Sequence, residues 1–225
     1  MNTLSAVYGD VGSYVAANTM VDSPALCPEI LLRLLKDDAP LKDDCPPFEG
    51  EPHLFSWDGP RPYWAFAWAG GQALARFILD RPELVRGKRV VDVGSGSGIC
   101  AIAAALSGAA AVIALDSDAV AVKAIEMNAR LNDIVVTVSH ADMATCISEE
   151  WEVLLAGDAF YNCWNYQWVL GLAEKGRVIL FGDPSCRGFP KEHCEQLASC
   201  RVKTYPDLET WTADAQVLRL RRGRG

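Results

Sequence analysis

The sequence predicts an α/β protein of Rossmann-like type, built on a doubly wound, mostly parallel sheet. Three observations predict it. From Gly87 onward, short apolar runs rich in β-branched residues alternate with helix-length runs, one element at a time. The first of these runs empties into a glycine turn, VDVGSGSG (Val91 to Gly98). Acids stand at or just past the ends of three of the runs: Asp92, Asp116 and Asp142.

Along the chain, residues 1–57 read as an N-terminal helical extension packing on a core domain of residues 58–225. Pro28 opens EILLRLLK, an expected amphipathic helix with Ile30, Leu31, Leu34 and Leu35 on one face. A Pro/Asp-rich loop follows, then an expected helix bounded by Pro62 and Pro82. RVVDVG reads as a strand buried on both faces, and ICAIAAALSG as a helix ending at Gly108. AAVIALD is the second such strand, and Asp118 can cap the helix AVAVKAIEMNARLN. IVVTVSH and WEVLLA give the third and fourth strands. NYQWVLGLAEKG reads as a helix with Gly176 at its C-cap, followed by the strand RVILFGD. PKEHCEQLAS is expected to be helical, and RVKTY with AQVLRLRR to close the fold as a strand pair.

Composition narrows the function. A formal net charge of -8 over 225 residues makes a poor match to a phosphate backbone, so no nucleic-acid partner is expected. The terminal RLRRGRG reads as a strand and a solvated tail. Eight cysteines form no C-x-x-C, and Cys186, His193, Cys194 and Cys200 lack the paired short gaps of structural zinc sites. No metal is expected, and the cysteines read as small buried hydrophobes. The first residues lack a basic and an apolar region, the first arginine is Arg33, and the most apolar stretch (Cys100 to Leu115) is broken by Ser-Gly. These features read as a soluble protein of a reducing compartment, without a membrane partner. The expected location is cytoplasmic, with the mitochondrial matrix as the eukaryotic alternative.

In an open α/β sheet, ligands lie off the carboxyl ends of the strands. Gly94, Gly96 and Gly98 let the backbone turn tightly there, and the next helix offers unpaired N–H groups. A dinucleotide site has the spacing G-x-G-x-x-G, whereas this turn is G-x-G-x-G with Asp92 before it. The shorter form suits a ligand without a pyrophosphate, and S-adenosylmethionine is one. Its ammonium needs an acid and its carboxylate needs N–H groups. Asp116 lies about 20 residues past the glycines, where a carboxylate can accept both ribose hydroxyls. Asp142 can accept from an adenine amino group. Ser95, Ser117, Met143 and Gly157 complete the expected cofactor-binding set. An NAD-dependent oxidoreductase fails on the glycine spacing.

With these residues in place, the chain resembles the electron transfer flavoprotein β-subunit lysine methyltransferases. The likeness runs through ANTMVDSPALCPEILLRLL, PYWAFAWAGGQALARFILDRPELVRGKRVVDVGSGSG, LDSDAVAVKAIEMNARLN, GDAFYN and FGDPSCRGFP. The resemblance implies a seven-stranded sheet of order 3-2-1-4-5-7-6 with the last strand antiparallel. It implies that Trp68 flanks the cofactor, and that GDAFYN (Gly157 to Asn162) faces the transferable methyl. The family pattern there is Asp/Glu-x-Phe-Tyr-Asp/Glu. Asp158, Phe160 and Tyr161 match it; Asn162 replaces the usual acid.

The expected chemistry is an in-line displacement on a neutral amine. A lysine amine has a reference pKa of about 10.4, so its proton must leave first. Asp158 would attract the ammonium, while Phe160, Trp64 and Phe66 would favour the neutral form by desolvation. Tyr161 would orient the amine, and aromatic faces can hold a partly methylated ammonium. Asn162 removes one negative charge, which weakens attraction for lysine without touching the cofactor. Trp64 and Trp68 have helical-turn spacing and read as a cofactor or substrate wall; Trp164 and Trp168 read as a packed face. His53, His140 and His193 read as structural or surface residues. A small-molecule N-methyltransferase and a catalytically weak cofactor-binding module remain as alternatives. A nucleic-acid base methyltransferase lacks its Asn/Asp-Pro-Pro-aromatic turn here.

Overall fold

The structure, a computed structural model, describes residues 10–36, 62–142, 150–159, 169, 171–173, 177–183, 191–206 and 212–221. Its elements are α1 (Val11–Asn18), β1 (Thr19–Asp22), β2 (Leu32–Leu35), α2 (Ala69–Asp80), β3 (Arg89–Val93), α3 (Ile99–Leu106), β4 (Ala111–Asp116), α4 (Ala119–Leu131), β5 (Thr137–His140), β6 (Val153–Gly157), β7 (Val178–Asp183), β8 (Cys194–Val202) and β9 (Ala213–Leu220). Strands β3 to β9 form one seven-stranded sheet in the order β5-β4-β3-β6-β7-β9-β8. Counted with β3 as its first strand, that order reads 3-2-1-4-5-7-6. The pairs from β5 to β7 are parallel, and β9 runs antiparallel to both β7 and β8.

The inner parallel strands β3, β4, β6 and β7 are largely buried, as their composition requires, while β5 at the edge has no buried residue. Val153 and Leu155 of β6 point into one core cluster with Leu74 of α2 and Ile102 of α3. Leu154 and Ala156 point into the other, with Trp151, Val169 and Leu172. Register brings the carboxyl ends together. Asp92 pairs with Ala114, Asp116 with His140, and Gly157 with Gly182. The acids predicted to close the first two core strands therefore reach one edge of the sheet, and Asp142 lies two residues past β5.

Three expected elements differ. EILLRLLK is not a helix: its last part is β2, paired antiparallel with β1. Ile30, Leu32 and Leu34 are fully buried while Leu31 is 39% exposed, so the pattern that won has period two. The helix of the extension is instead α1, where Asp10 caps by accepting from the Ser13 N–H at 2.9 Å. The helix expected from Pro62 starts only at Ala69; before it, Tyr63–Ala65 is a short 3₁₀ turn. PKEHCEQLAS is also not a helix. A 3₁₀ turn, Lys191–His193, leads directly into β8, whose pairing with β9 carries a register shift between Gln196 and Ala198. An edge strand with polar residues and a bulge shows no clean alternation, and its pairing overrides local propensity.

Described residues of the N-terminal segment contact later elements. Arg76 of α2 pairs with Glu29 at 2.8 Å and with Asp80 at 2.7 Å. Tyr14 and Val15 of α1 lie in one buried cluster with Trp64, Phe66 and residues of α4. The domain boundary expected at 57/58, Gly176, Trp164 and Trp168 lie outside the described residues. No helix among the described residues is long and apolar enough to cross a membrane. Cys27, Cys100 and Cys194 are buried, as expected of cysteines used as small hydrophobes, while Cys200 is only half-buried. Burial pushes the Cys27 thiol up to about 12.

Candidate active site

The glycine turn joins β3 to α3. Gly94, Gly96 and Gly98 have φ of 58°, 55° and 82°, in the left-handed region that a side chain disfavours. The Gly96 N–H donates to Asp116 Oδ2 at 2.8 Å, and the Asp118 N–H donates to Asp116 Oδ1 at 3.0 Å. The acid at the end of β4 thus fixes the turn after β3. Each carboxylate oxygen keeps a second acceptor site for a ligand. Ser117 and Asp142 are exposed at the same edge. His140 Nε2 lies 2.9 Å from the Ser117 carbonyl, which can only accept, so this ring nitrogen is the donor. That fits its expected structural role.

Asp92 sits inside the turn and is 1% exposed. Its Oδ2 accepts from Ser95 Oγ at 2.5 Å and from the Ala101 N–H at 3.1 Å, bracing the first turn of α3. Its Oδ1 is buried and takes no hydrogen bond among the described residues. Burial, against the two hydrogen bonds, pushes the carboxyl up to about 7. The folded state therefore holds a proton that the unfolded chain has lost above pH ~4. Stability from this group is full below pH ~4, falls as pH rises, and levels off above about 7. Relative to Asp92→Asn, the ligand-free protein is expected to lose about 2–3 kcal/mol between pH 5 and pH 7, at about 1.4 kcal/mol per pH unit. Urea unfolding at the two pH values measures it; parallel profiles for the two proteins contradict this assignment.

Asp158 reaches the start of α2. It lies in the turn after β6 with φ of 56°, a conformation that Asp tolerates better than most residues. Its N–H donates to the Gly182 carbonyl at 3.1 Å. Its Oδ2 accepts from the Gly71 N–H at 2.6 Å. Gly71 is the third residue of α2, whose own N-cap, Trp68, makes no side-chain cap. A carboxylate delivered from another strand therefore serves as the cap, where the helix dipole also favours negative charge. Four glycines permit the approach. A β-carbon on Gly157 would lie 2.7 Å from Gly71 Cα, and one on Gly182 would lie 1.9 Å from the Gly70 carbonyl oxygen. The start of α2 thus rests directly on the ends of β6 and β7.

This contact sets the segment before α2 over the glycine turn. The Tyr63 carbonyl oxygen is the nearest atom to a β-carbon built on Gly96, at 3.7 Å. Trp68 is half-buried, donates Nε1–H to the Tyr63 carbonyl at 2.9 Å, and lies 5.5 Å from the rings of both Tyr63 and Phe66. Trp64 is fully buried, edge-on to Tyr14 at 6.4 Å. The two tryptophans do not share a helix face. Trp64 belongs to the core, and the exposed aromatic beside Trp68 is Tyr63, which sequence reasoning passed over. Gln72 fixes the segment from behind, donating at 2.7 Å to the carbonyls of Ala67 and Lys203. Asp183, buried at the tip of β7 one residue beyond Gly182, is a further acid at this edge that was not anticipated. Met143, Phe160, Tyr161 and Asn162 lie outside the described residues. No cluster of potential metal ligands occurs among the described residues.

The human electron transfer flavoprotein β-subunit lysine methyltransferase is 39% identical over 208 residues, covering 89% of this chain and 76% of that protein. The Danio rerio protein of the same name is 38% identical over 182 residues, covering 78% and 67%. A family model described as ribosomal protein L11 methyltransferase (PrmA) matches residues 73–157. Among solved structures, a ribosomal protein L11 methylase from Lactobacillus delbrueckii subsp. bulgaricus superposes with a TM-score of 0.51 at 21% identity, covering 69% of this chain and 79% of that one. A putative RNA methyltransferase from Pyrococcus horikoshii gives 0.54 at 17% identity, covering 68% and 83%. At those identities the structural matches establish a shared fold.

Proposed function

Because the chain belongs to the electron transfer flavoprotein β-subunit lysine methyltransferase family, we propose that it transfers a methyl group from S-adenosylmethionine to a lysine amine of that β-subunit or a similar protein. One observation carries the reading: relatives of that name align over most of the chain.

The described residues fit the cofactor. The turn opens at Gly96, where a β-carbon would meet nothing closer than 3.7 Å among the described residues. The buried, unpartnered Oδ1 of Asp92 is an atom that a ligand ammonium would satisfy. When bound, S-adenosylmethionine supplies a methyl group made electrophilic by its sulfonium. Asp116, already oriented by two backbone N–H groups, accepts the ribose hydroxyls. Asp142 would accept from the adenine amino group. Gly94, Ser95, Gly96 and Gly98 let the main chain lie against the ligand, and Trp68 with Tyr63 forms the facing wall.

At the acceptor side, Asp158 holds the start of α2, and with it Trp68, at a fixed distance from the glycine turn. Its charge is partly spent on the helix terminus, so it opposes amine deprotonation less than a free carboxylate would. Tyr161 orients the amine, and Phe160 with Tyr161 excludes water from it. Most of the rate gain then comes from alignment.

The test is labelled-methyl transfer onto purified electron transfer flavoprotein β-subunit, beside calorimetry of donor binding. Label in the β-subunit, lost on Lys→Arg substitution of the target, is the expected result. Donor binding with no labelled protein overturns the substrate reading and favours a binding module. Asn162→Asp restores the acid of the family pattern and is expected to raise kcat/KM for the protein substrate several-fold, with donor affinity unchanged. An equal or lower kcat/KM contradicts the role given to Asn162.

A further inference from the structure

The N-terminal hairpin is held by two side chains, Asn128 of α4 and its C-cap Asn132, and Asn128 also holds the glycine turn. Asn128 is fully buried. Its Nδ2 donates to the Ser97 carbonyl at 2.8 Å, and its Oδ1 accepts from the Arg33 N–H at 2.8 Å. Asn132, one helical turn on, accepts from the Leu31 N–H at 2.9 Å and donates to the Leu31 carbonyl at 2.7 Å. Residues 32–35 pair with β1 on one side of β2. Its other side is met by these carboxamides, which stand in for a third strand. The carboxamide that receives Arg33 is the one that holds Ser97, between Gly96 and Gly98.

A second tie reaches the opposite wall of the cleft. The Tyr205 hydroxyl donates to Asp22 at the end of β1. The Tyr205 main chain exchanges two hydrogen bonds with Ala67, next to Trp68, at 2.7 and 2.9 Å. One hairpin therefore braces both the glycine turn and the aromatic segment facing it.

We propose that Asn128 is a positioning residue for the methyl donor, tying the glycine turn to the N-terminal hairpin so that donor binding and hairpin docking form one coupled equilibrium. This rests on the cofactor reading above. By linkage, whatever the hairpin contributes to donor affinity, the donor returns to hairpin docking. Asn132 hydrogen-bonds Leu31 and the Asn128 carbonyl rather than the turn, and through Leu31 it governs how firmly Arg33 is presented to Asn128.

Hydrogen exchange of the full chain, with and without saturating S-adenosylhomocysteine, tests the coupling without any substitution. Slower exchange is expected in peptides covering 94–101 and also in those covering 31–33. Protection at 94–101 with no change at 31–33 overturns the coupling and leaves the donor site standing. No protection at either place overturns both. Asn132→Ala is expected to speed exchange at 31–33 and to weaken S-adenosylhomocysteine about 5- to 50-fold. In turnover that loss appears in KM for the donor, with kcat little changed. Faster hairpin exchange at unchanged donor affinity overturns the proposal. Asn128→Asp keeps the acceptor for Arg33 and loses the donor to Ser97; it is expected to weaken the same ligand at least about 10-fold. Wild-type affinity in folded Asn128→Asp also overturns it.

Discussion

Gly182→Ala is expected to destabilise the protein by at least about 3 kcal/mol, lowering the thermal midpoint by about 6–12 °C. The added carbon would stand 1.9 Å from the Gly70 carbonyl oxygen and 2.4 Å from its carbon. Both atoms belong to the backbone of α2, so no rotamer can relieve the clash. The helix start has to lift from the sheet. Lifting it also breaks the cap, since Asp158 reaches the Gly71 N–H at 2.6 Å only while α2 rests on β6 and β7. Trp68 moves with the helix, so donor affinity is expected to fall along with stability. Gly171→Ala is the control. Gly171 is helical and a β-carbon there meets nothing within 4 Å among the described residues, so that change is expected to be neutral or to stabilise by up to about 1 kcal/mol. Thermal unfolding of the two variants beside the wild type decides it. A Gly182→Ala midpoint equal to that of Gly171→Ala would mean that α2 does not seat on the strand ends as described.

What the sequence reveals depends on how local the governing interaction is. The strands β3, β4, β6 and β7 are largely buried, so a bare apolar run announces each one, whereas β5 at the sheet edge has no buried residue. The glycine turn and Asp116 were legible for a related reason: turn and acid each follow a strand, and parallel register alone brings them together. Two segments misled because their partners are distant. The run ILLRLL fits a helix face as well as a strand until Thr19–Asp22 pairs with it and Asn128, 95 residues on, receives the Arg33 N–H. EHCEQLAS looks amphipathic at helical spacing, and only its ladder with β9 makes it a strand. The same limit applies within the site. Asp158 was recognisable as an acid at the end of a strand, but its partner Gly71 lies 87 residues earlier. GG in AWAGGQ was a visible signal of close backbone approach, since two glycines at a helix start cost propensity and need a reason. Two asparagines at i and i+4 in MNARLN were visible too, although nothing local says what they hold.

Asp116→Ala is expected to raise the Kd for S-adenosylmethionine by at least about 100-fold. The carboxylate has two tasks in the proposed arrangement, and the substitution removes both. It accepts from the Gly96 and Asp118 N–H groups at 2.8 and 3.0 Å, which holds the turn ready before a ligand arrives. It also takes the two ribose hydroxyls. Hydrogen bonds to a charged group are worth about 1.5–3 kcal/mol each, so losing two toward the ligand amounts to about 3–6 kcal/mol. Asp116→Asn separates the tasks. It keeps one acceptor oxygen and replaces the other with a donor, which cannot accept from the Gly96 or Asp118 N–H but can still donate to a hydroxyl. Its affinity is expected to lie between wild type and Asp116→Ala. Asp142→Ala removes an exposed group with a single proposed contact, so its expected loss is smaller, about 5- to 10-fold. Calorimetric titration of the three variants gives the ranking. If Asp116→Ala binds within about threefold of wild type, the acid at the end of β4 serves only to shape the glycine turn, and the ligand's sugar must lie elsewhere.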